Sequence, residues 1–171
     1  MHIVVRPFAA DDAPAARSLF IRVNKLLAPP HLTEAFESYI VRSLSEEIDR
    51  IPDYYGEKRG AFWVAVMATQ IVGMFGLESV STAGAMELRR MYVDPDARRR
   101  GVARTMLQFA EEECRRRNVL QLDLSTAELQ NEALSLYRKA GYQLVREEVV
   151  VDESNKTVGG GIRRFYFTKR L

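Results

Sequence analysis

Three consecutive arginines stand directly before a glycine in the stretch "MYVDPDARRRGVARTML", residues 91–107. The apolar residues before Pro95 are typical of a strand, and those after Gly101 recur at helical spacing. Backbone N–H groups in the first turn of a helix have no partner inside it, and the helix dipole strengthens their attraction for anions. Because the small residues Gly101 and Ala103 let a phosphate approach this backbone, the stretch predicts a phosphate-binding site.

The arginine run has two other interpretations. Most runs of charge are solvated surface, and that alternative stays open. Nucleic-acid binding normally combines basic residues with exposed aromatic side chains, and the run contains none. The chain has 25 Lys and Arg residues and 23 Asp and Glu residues, so it lacks the positive electrostatic field expected of a dedicated nucleic-acid-binding protein. We therefore expect no nucleic-acid partner.

Cysteine and histidine are scarce. Cys114 is the single cysteine, and His2 and His31 do not form a zinc-ligand spacing, so we expect neither an internal disulfide nor a bound metal. Arg6 and Asp11 interrupt any signal-like apolar run near the N-terminus, and no segment approaches the ~20 apolar residues of a membrane span. The sequence predicts a soluble, cytoplasmic protein with no membrane partner.

Hydrophobic periodicity predicts a single domain over residues 1–171 with seven strands and four helices. The strands are expected at residues 3–8, in two runs within 61–80, at 85–94, at 119–125, at 142–151 and at 161–171. The helices are expected after Asp11 and Asp12, from Thr33 to Ile48, from Val102 past Cys114, and from Glu128 to Ala140 with Gly141 as its C-terminal cap. The fold class is α+β (α/β): a mixed, mostly antiparallel seven-stranded sheet with helices on both faces.

Three further expectations concern side chains and loops. Alternation along residues 85–94 places Arg90 and Tyr92 on one face of the strand and Glu87 and Arg89 on the other. Trp63 is expected in the core. Tyr54, Tyr55 and Glu57 are expected in a loop, where contact with the acceptor and ordinary loop packing are equal alternatives. The polar, glycine-rich residues 152–161 are expected in a mobile loop.

The spacing Arg98-x-x-Gly101-x-Ala103 resembles the pyrophosphate-binding signature R/Q-x-x-G-x-G/A of the GCN5-related N-acetyltransferase (GNAT) superfamily. The order of predicted elements is similar to that fold over essentially the whole chain. The segment "LYRKAGYQLV", which begins at Leu136, resembles the family's second signature. The likeness implies an enzyme that uses acetyl-CoA.

The resemblance assigns cofactor-binding roles residue by residue. Met91, Tyr92 and Val93 would pair with the pantetheine arm like an added strand. The backbone amides of the signature loop would hold the pyrophosphate, with arginine side chains free to reach the 3′-phosphate. These loop residues are Arg98, Arg99, Arg100, Gly101, Val102, Ala103 and Arg104. Gln130 stands where the family often has asparagine, and Asn131 is beside it, so either amide is a candidate for the cofactor.

The resemblance also implies catalytic roles. Tyr137 matches the tyrosine near the thioester sulfur and is the candidate acid, although ordinary packing of its ring stays an alternative. Glu87 precedes Arg98 by the same count as the catalytic glutamate of the histone-acetylating members and is the candidate base. The alternative is that Glu87 pairs with an arginine on an adjacent strand. The backbone N–H of Tyr92 would meet the oxyanion.

The function implied is transfer of an acetyl group from acetyl-CoA to a primary amine by direct attack, and the alternative is an acyl-CoA sensor without turnover. Residues 122–142 also resemble the Camello-like branch, which acetylates amino-acid derivatives. This local likeness does not assign a substrate. A small-molecule amine or amino-acid derivative is favoured over a protein acceptor, but antibiotics and the N-terminus or lysines of a protein stay open as alternatives. Homodimers are common in the family, so a homodimer is a further possibility.

Overall fold

A seven-stranded sheet in the order β1-β2-β3-β4-β5-β7-β6 organises residues 2–171, the part of the chain that the computed structural model describes. The strands are β1 (Ile3–Pro7), β2 (Ala61–Met67), β3 (Gln70–Ser79), β4 (Ala85–Val93), β5 (Gln121–Ala127), β6 (Gln143–Val150) and β7 (Ile162–Arg170). The helices are α1 (Ala13–Leu27), α2 (Thr33–Glu46), α3 (Ile51–Glu57), α4 (Val102–Arg116) and α5 (Asn131–Lys139). Single 3₁₀ turns lie at Ala10–Asp12, Pro30–Leu32, Ile48–Arg50 and Pro95–Ala97.

All neighbouring strands are antiparallel except β4 and β5, which are parallel and joined through α4. One hydrophobic cluster, with Met106 and Leu122, lies between the sheet and helices α4 and α5. A second cluster, with Phe20 and Tyr55, lies on the opposite face under α1 to α3. The predicted mixed sheet with helices on both faces is confirmed. Trp63 is buried and stacks on Phe75, as expected for a core residue.

The β4 strand contains a bulge that changes which side chains share a face. Arg89 pairs with Gly76 and Tyr92 with Met74, so two residues of β4 stand opposite one of β3. Arg90, in the bulge, has a φ of 54°. The strict alternation predicted for this strand is wrong, because the extra residue brings Arg89 and Arg90 to the same side.

The β4 and β5 strands are paired only at their first three residues, from Ala85 with Gln121 to Glu87 with Asp123. Beyond Glu87 the two strands have no paired residues within the described chain. Their facing backbone edges therefore line a gap in the middle of the sheet.

Several predicted boundaries need correction. The second helix ends at Glu46 rather than Ile48, and residues 51–57, expected as a loop, form α3. The last helix begins at Asn131 rather than Glu128, although Gly141 follows it with the predicted positive φ of 90°.

Asp12 is the N-cap residue of α1, but its carboxylate makes no cap bond to that helix. It accepts hydrogen bonds from Arg6 and from the N–H of Ala9. Arg6 holds the pKa of Asp12 below its usual value.

Candidate active site

A cleft of about 1080 Å³ opens at the gap between β4 and β5. Its walls are formed by these two strands, the N-terminal ends of α4 and α5 and the loop of residues 152–161, with further residues from α1, α2, β6 and β7. Every site residue predicted from the sequence except Arg100 lies on the cleft wall: Glu87, Met91, Tyr92, Val93, Arg98, Arg99, Gly101, Val102, Ala103, Arg104, Gln130, Asn131 and Tyr137. The cleft thus brings together residues separated by up to fifty positions in the sequence.

The loop from Arg98 to Arg104 presents a run of free backbone donors. None of its seven N–H groups has a hydrogen-bond acceptor within residues 2–171, and the first backbone donor after them is Thr105, whose N–H binds Gly101 O at 3.0 Å. Gly101 is the N-cap of α4 in the left-handed conformation, with φ of 80°, and a Cβ there would meet nothing within 4 Å. Consecutive free N–H groups at a helix N-terminus form an anion site.

The arginine side chains of this loop are solvent-facing. Arg98, Arg99, Arg100 and Arg104 are exposed, and within the described residues none of them forms an ion pair. Mobile cations around an anion site add long-range attraction but little geometry. The geometry of this end of the cleft therefore comes from the backbone.

The register of β4 fixes the direction of its backbone groups. Val93 pairs with Gly73 and Tyr92 with Met74, while the N–H of Asp94 donates to Val72 O at 2.8 Å. Because backbone groups alternate along an antiparallel strand, the N–H of Tyr92 points to β3 and that of Val93 to the gap. The predicted oxyanion donor, the Tyr92 N–H, is therefore not supported by this register.

Tyr137 of α5 has a buried ring and a free hydroxyl. The ring packs against Tyr142 and Phe167, which accounts for part of its environment as ordinary core packing. Its hydroxyl has no hydrogen-bond partner among the described residues, and Tyr137 lines the cleft. Burial, with a smaller contribution from Tyr92, raises the pKa of Tyr137 well above its usual value, so the phenol keeps its proton at neutral pH.

Gln130 and Asn131 stand at the start of α5. Gln130 is the N-cap residue, and its side-chain oxygen accepts a hydrogen bond from Thr126 Oγ1 at 2.9 Å. This bond orients the Gln130 amide so that its nitrogen is free for another acceptor. Asn131 begins the helix and also lines the cleft.

Glu87 lies where β4 and β5 begin to diverge, with its side chain 27% exposed. Its carboxylate accepts a hydrogen bond from Lys156 Nζ at 3.2 Å, and Arg89 Nη1 is 3.8 Å away. The alternative prediction was an ion pair between Glu87 and an arginine on an adjacent strand. The arginine nearest to Glu87 is instead Arg89 of the same strand, and that contact is long. The closer cation comes from the loop of residues 152–161.

A buried ionic cluster lies next to Glu87 on the face of the sheet under α2 and α3. Glu47, which follows α2, has no exposed surface and accepts hydrogen bonds from Arg89, from Arg90 Nε at 3.1 Å and from the Tyr55 hydroxyl at 2.6 Å. Burial raises the pKa of Glu47, but the charges of Arg90 and Arg89 outweigh it and hold the pKa below its usual value. The carboxylate therefore remains ionised.

A second buried carboxylate extends this cluster. Glu78 is 2% exposed and accepts a hydrogen bond from the Tyr54 hydroxyl at 3.0 Å. Its Oε1 lies 2.9 Å from Lys156 Nζ and 3.7 Å from Arg89 Nε. We call the six charged residues Glu47, Glu78, Glu87, Arg89, Arg90 and Lys156 the acceptor-end cluster.

Sequence reasoning missed three members of this cluster: Glu47, Glu78 and Lys156. A signal for the missing acids was present in the predicted strand 85–94. Two adjacent arginines in a mostly apolar strand need anionic partners when buried, and such partners have to come from elsewhere in the chain. Nothing local pointed to Glu47 itself, which is 42 residues before Arg89.

Two general findings complete the description of residues 2–171. No group of three or more His, Cys, Asp or Glu side chains in this part of the chain is placed to hold a metal ion. Among the same residues, no helix combines the length and apolar character needed to cross a membrane.

Comparison with known proteins identifies relatives of this arrangement. Residues 58–144 match the family model described as "Acetyltransferase (GNAT) domain". The chain is 32% identical over 111 residues to N-acetylaspartate synthetase of Danio rerio, covering 64% of this chain and 39% of that protein. It is 26% identical over 142 residues to the uncharacterized N-acetyltransferase YjgM of Escherichia coli, covering 82% and 81%. Its matches to the fish, human and rat relatives span 39 to 60% of their lengths.

Among solved structures, the PaiA N-acetyltransferase of Thermoplasma acidophilum in complex with coenzyme A is similar over 100% of both chains. Its TM-score is 0.73 at 20% identity. Ribosomal-protein-alanine N-acetyltransferase of Brucella melitensis also has a TM-score of 0.73, at 18% identity over 98% of this chain and 99% of that one. These likenesses show a shared fold.

Proposed function

The chain belongs to the GNAT acetyltransferase family, and we propose that it moves the acetyl group of acetyl-CoA to a primary amine of a small-molecule acceptor. The observation that carries this proposal is the run of seven free N–H groups from Arg98 to Arg104 beside the gap between β4 and β5. The donors suit a pyrophosphate, and the open strand edges suit an extended amide-bearing arm. The residues present therefore fit coenzyme A.

The described backbone supports a division of labour along the cofactor. The N–H groups of the signature loop would bind the pyrophosphate without a dedicated side chain. The Val93 N–H faces the gap and would pair with the pantetheine arm. Because the Tyr92 N–H faces β3, the oxyanion donor has to come from a neighbouring residue whose N–H faces the gap.

Two side chains would handle protons. Glu87 would accept a proton from the acceptor's ammonium, which frees the nitrogen lone pair to attack the thioester carbonyl. Tyr137 keeps its proton at neutral pH and would donate it to the departing thiolate. Binding both substrates in one cleft supplies orientation in addition to this proton transfer.

Two observations favour a small acceptor of the amino-acid type. A relative is named for the synthesis of N-acetylaspartate, an acetylated amino acid. In this chain the cleft wall includes Arg164, whose guanidinium donates to Ser125 Oγ at 2.9 Å and forms no ion pair within residues 2–171. An unpaired guanidinium suits a carboxylate on the acceptor.

The proposal is tested by release of free thiol from acetyl-CoA in the presence of a panel of amines and amino acids. Amine-dependent thiol release together with an acetylated product supports the enzyme. Tight binding of acetyl-CoA without amine-dependent release would support the sensor instead. A thiol reagent suits this assay because Cys114 is fully buried and burial raises its pKa to about 11.

Two variants separate the proposed roles. Tyr137→Phe is expected to lower kcat by roughly a hundredfold or more while leaving the affinity for coenzyme A unchanged. Tyr142→Phe is a matched control, since it removes a buried hydroxyl that binds Glu111 instead of facing the cleft. Glu87→Gln is expected to lower the rate of acetyl transfer without weakening the binding of coenzyme A. An unchanged rate would show that another group removes the proton.

A further inference from the structure

An ammonium group of the chain itself already occupies the acceptor end of the cleft. Lys156 Nζ lies 3.2 Å from Oε1 of Glu87 and 2.9 Å from Oε1 of Glu78. Glu87 is the group assigned above to remove a proton from the acceptor's ammonium. A nitrogen at hydrogen-bond distance from that carboxylate can pass it a proton, which is what the acceptor's nitrogen also has to do.

The loop that carries Lys156 is held in this position from two sides. The guanidinium of Arg90 donates to Asn155 O, and Arg42 Nη1 of α2 donates to Glu153 O at 3.0 Å. The Asn155 side chain reaches Glu47 at 3.5 Å. Arg90 is itself buried and bound to Glu47, so the loop is attached to the acceptor-end cluster.

The loop also has internal order around Lys156. The hydroxyl oxygen of Ser154 accepts hydrogen bonds from the N–H groups of Lys156 and Thr157, at 3.0 and 3.1 Å. The N–H of Ser154 donates to Thr157 O at 3.0 Å. This tight turn directs the Lys156 side chain, which is 46% exposed and lines the cleft. The composition of residues 152–161 predicts a mobile loop and does not predict these contacts.

From this geometry we propose that Lys156 occupies the subsite of the acceptor's amine and that its Nζ is acetylated by the chain's own active site. The inference rests on the proposed acetyl transfer from acetyl-CoA. It names Lys156 as a modification site and the pair Glu78 and Glu87 as the subsite that holds an ammonium group.

The proposed step balances without any further reactant. Lys156 Nζ gives a proton to Glu87, and the freed lone pair forms a bond to the carbonyl carbon of the thioester. The carbon–sulfur bond breaks, and the sulfur leaves with its electron pair and takes a proton from Tyr137. Tyr137 is reprotonated by the second proton lost from the nitrogen. The products are an uncharged Nζ-acetyllysine, free coenzyme A and one proton released to solvent, and nothing is oxidised or reduced.

Acetylation would change the cleft by removing one positive charge. Neither Glu78 nor Glu87 could then form an ion pair with residue 156. Glu78 would keep its hydrogen bond from Tyr54 and its contact with Arg89, while Glu87 would be left facing the cleft. Self-acetylation would thus leave the carboxylate of Glu87 available to an external amine.

The test is incubation of the full chain with acetyl-CoA and no added amine, followed by mass spectrometry of the intact protein and of its peptides. The expected result is a gain of one acetyl group per chain at Lys156. Its rate should exceed that of the exposed Lys25 by roughly a hundredfold, as expected for a positioned base. The rate constant should not depend on protein concentration, because the reaction is intramolecular. Glu87→Gln should lower the acetylation rate of Lys156 towards that of Lys25.

Lys156→Arg provides the complementary measurement, since it keeps a positive charge that can bind Glu78 and Glu87 but should not be acetylated at that position. Loss of the single rapid acetylation in this variant is expected. If the wild type acetylates external amines while Lys156 reacts no faster than Lys25, the inference is overturned and the proposed function stands. If acetyl-CoA is cleaved neither with amines nor at Lys156, both are overturned. A rate that rises with protein concentration would also overturn it, because acetylation would then occur between chains.

Discussion

The two ends of the cleft use arginine in opposite ways. At the signature loop, Arg98, Arg99 and Arg100 are exposed and unpaired within residues 2–171, and the backbone provides the hydrogen-bond donors. At the acceptor end, Arg89 and Arg90 are buried and bound to Glu47. Exposed charges are screened by solvent, whereas buried ones need a partner for the fold to be stable.

This difference predicts different responses to mutation. A site built from backbone groups loses little when one exposed side chain is removed. A buried cluster shares its charges among several elements, so removing one member affects the packing of all of them. We therefore expect stability to depend on the acceptor end and cofactor affinity on the backbone conformation of the signature loop.

The largest effect is expected for Glu47→Gln. The variant leaves Arg89 and Arg90 buried without their main counter-charge, a change that typically costs about 3–5 kcal/mol. The free energy of unfolding from denaturant titration measures it. Asp49→Asn is the control, because Asp49 and its partner Arg17 are about half exposed, and its cost should stay below about 1 kcal/mol. Equal effects of the two variants would remove the distinction between buried and exposed pairs.

Acid should weaken the acceptor end in the same way. The pKa of Glu47 is lowered in the folded protein, so the stability it contributes is fully present above the unfolded-state pKa of about 4.3 and is lost as pH falls below that value. The free energy of unfolding should therefore fall on acidification, and Glu47→Gln should flatten this dependence. A slope between pH 5 and 3 that the variant leaves unchanged would assign the acid sensitivity to other carboxylates.

Gly76→Ala should also destabilise the acceptor end. A Cβ at residue 76 would lie 2.5 Å from Cε1 of Tyr55, and Tyr55 is fixed by burial and by its bond to Glu47. Overpacking of this kind typically costs about 1–3 kcal/mol. The free energy of unfolding measures this loss.

Gly101→Ala is the counterpart of that variant at the signature loop. A Cβ there meets open space, so its cost is conformational, roughly 1–2 kcal/mol from the positive φ. It should weaken coenzyme A binding, which Gly76→Ala should leave nearly unchanged. Weaker binding in Gly76→Ala and not in Gly101→Ala would reverse the comparison.

The smallest effect is expected for Arg99→Ala. Its exposed side chain has no protein partner among the described residues, so only a screened attraction to phosphate is lost, worth about 1 kcal/mol or less. The dissociation constant of coenzyme A should rise by about fivefold at most, and by less at high salt. Arg115→Ala, at the far end of α4, is the control and should change it less still.

The parts of this site that the sequence predicted are local. Gly101 and Ala103 lie within one short motif, and the helix after them has its own apolar periodicity, so the phosphate site could be predicted without knowing the sheet. The order of elements along the chain and the pairing of Met91 to Val93 with the pantetheine arm came with the family resemblance, whereas the end of the β4–β5 pairing at Glu87 was found only in the structure. The direction of the Tyr92 N–H depends on the bulge at Arg90, which alternation of residue types does not show.

The parts that the sequence did not predict depend on long-range contacts. Glu47 follows an ordinary amphipathic helix, and only the fold brings it to Arg89 and Arg90. The segment of α3 contains Pro52 and Gly56, which are typical of turns, yet burial of Tyr55 favours a helix there. The loop of residues 152–161 has a flexible composition, and its contacts come from α2 and β4.

The most direct test of the backbone-built cofactor end is a two-dimensional ¹H–¹⁵N spectrum of the protein titrated with coenzyme A. We expect the amide signals from Arg98 to Arg104 to shift most, with smaller changes at Tyr137 and none at the exposed Asp49. Coenzyme A binding that leaves the amide signals of Arg98 to Arg104 in place would contradict the assignment of this loop as the pyrophosphate site.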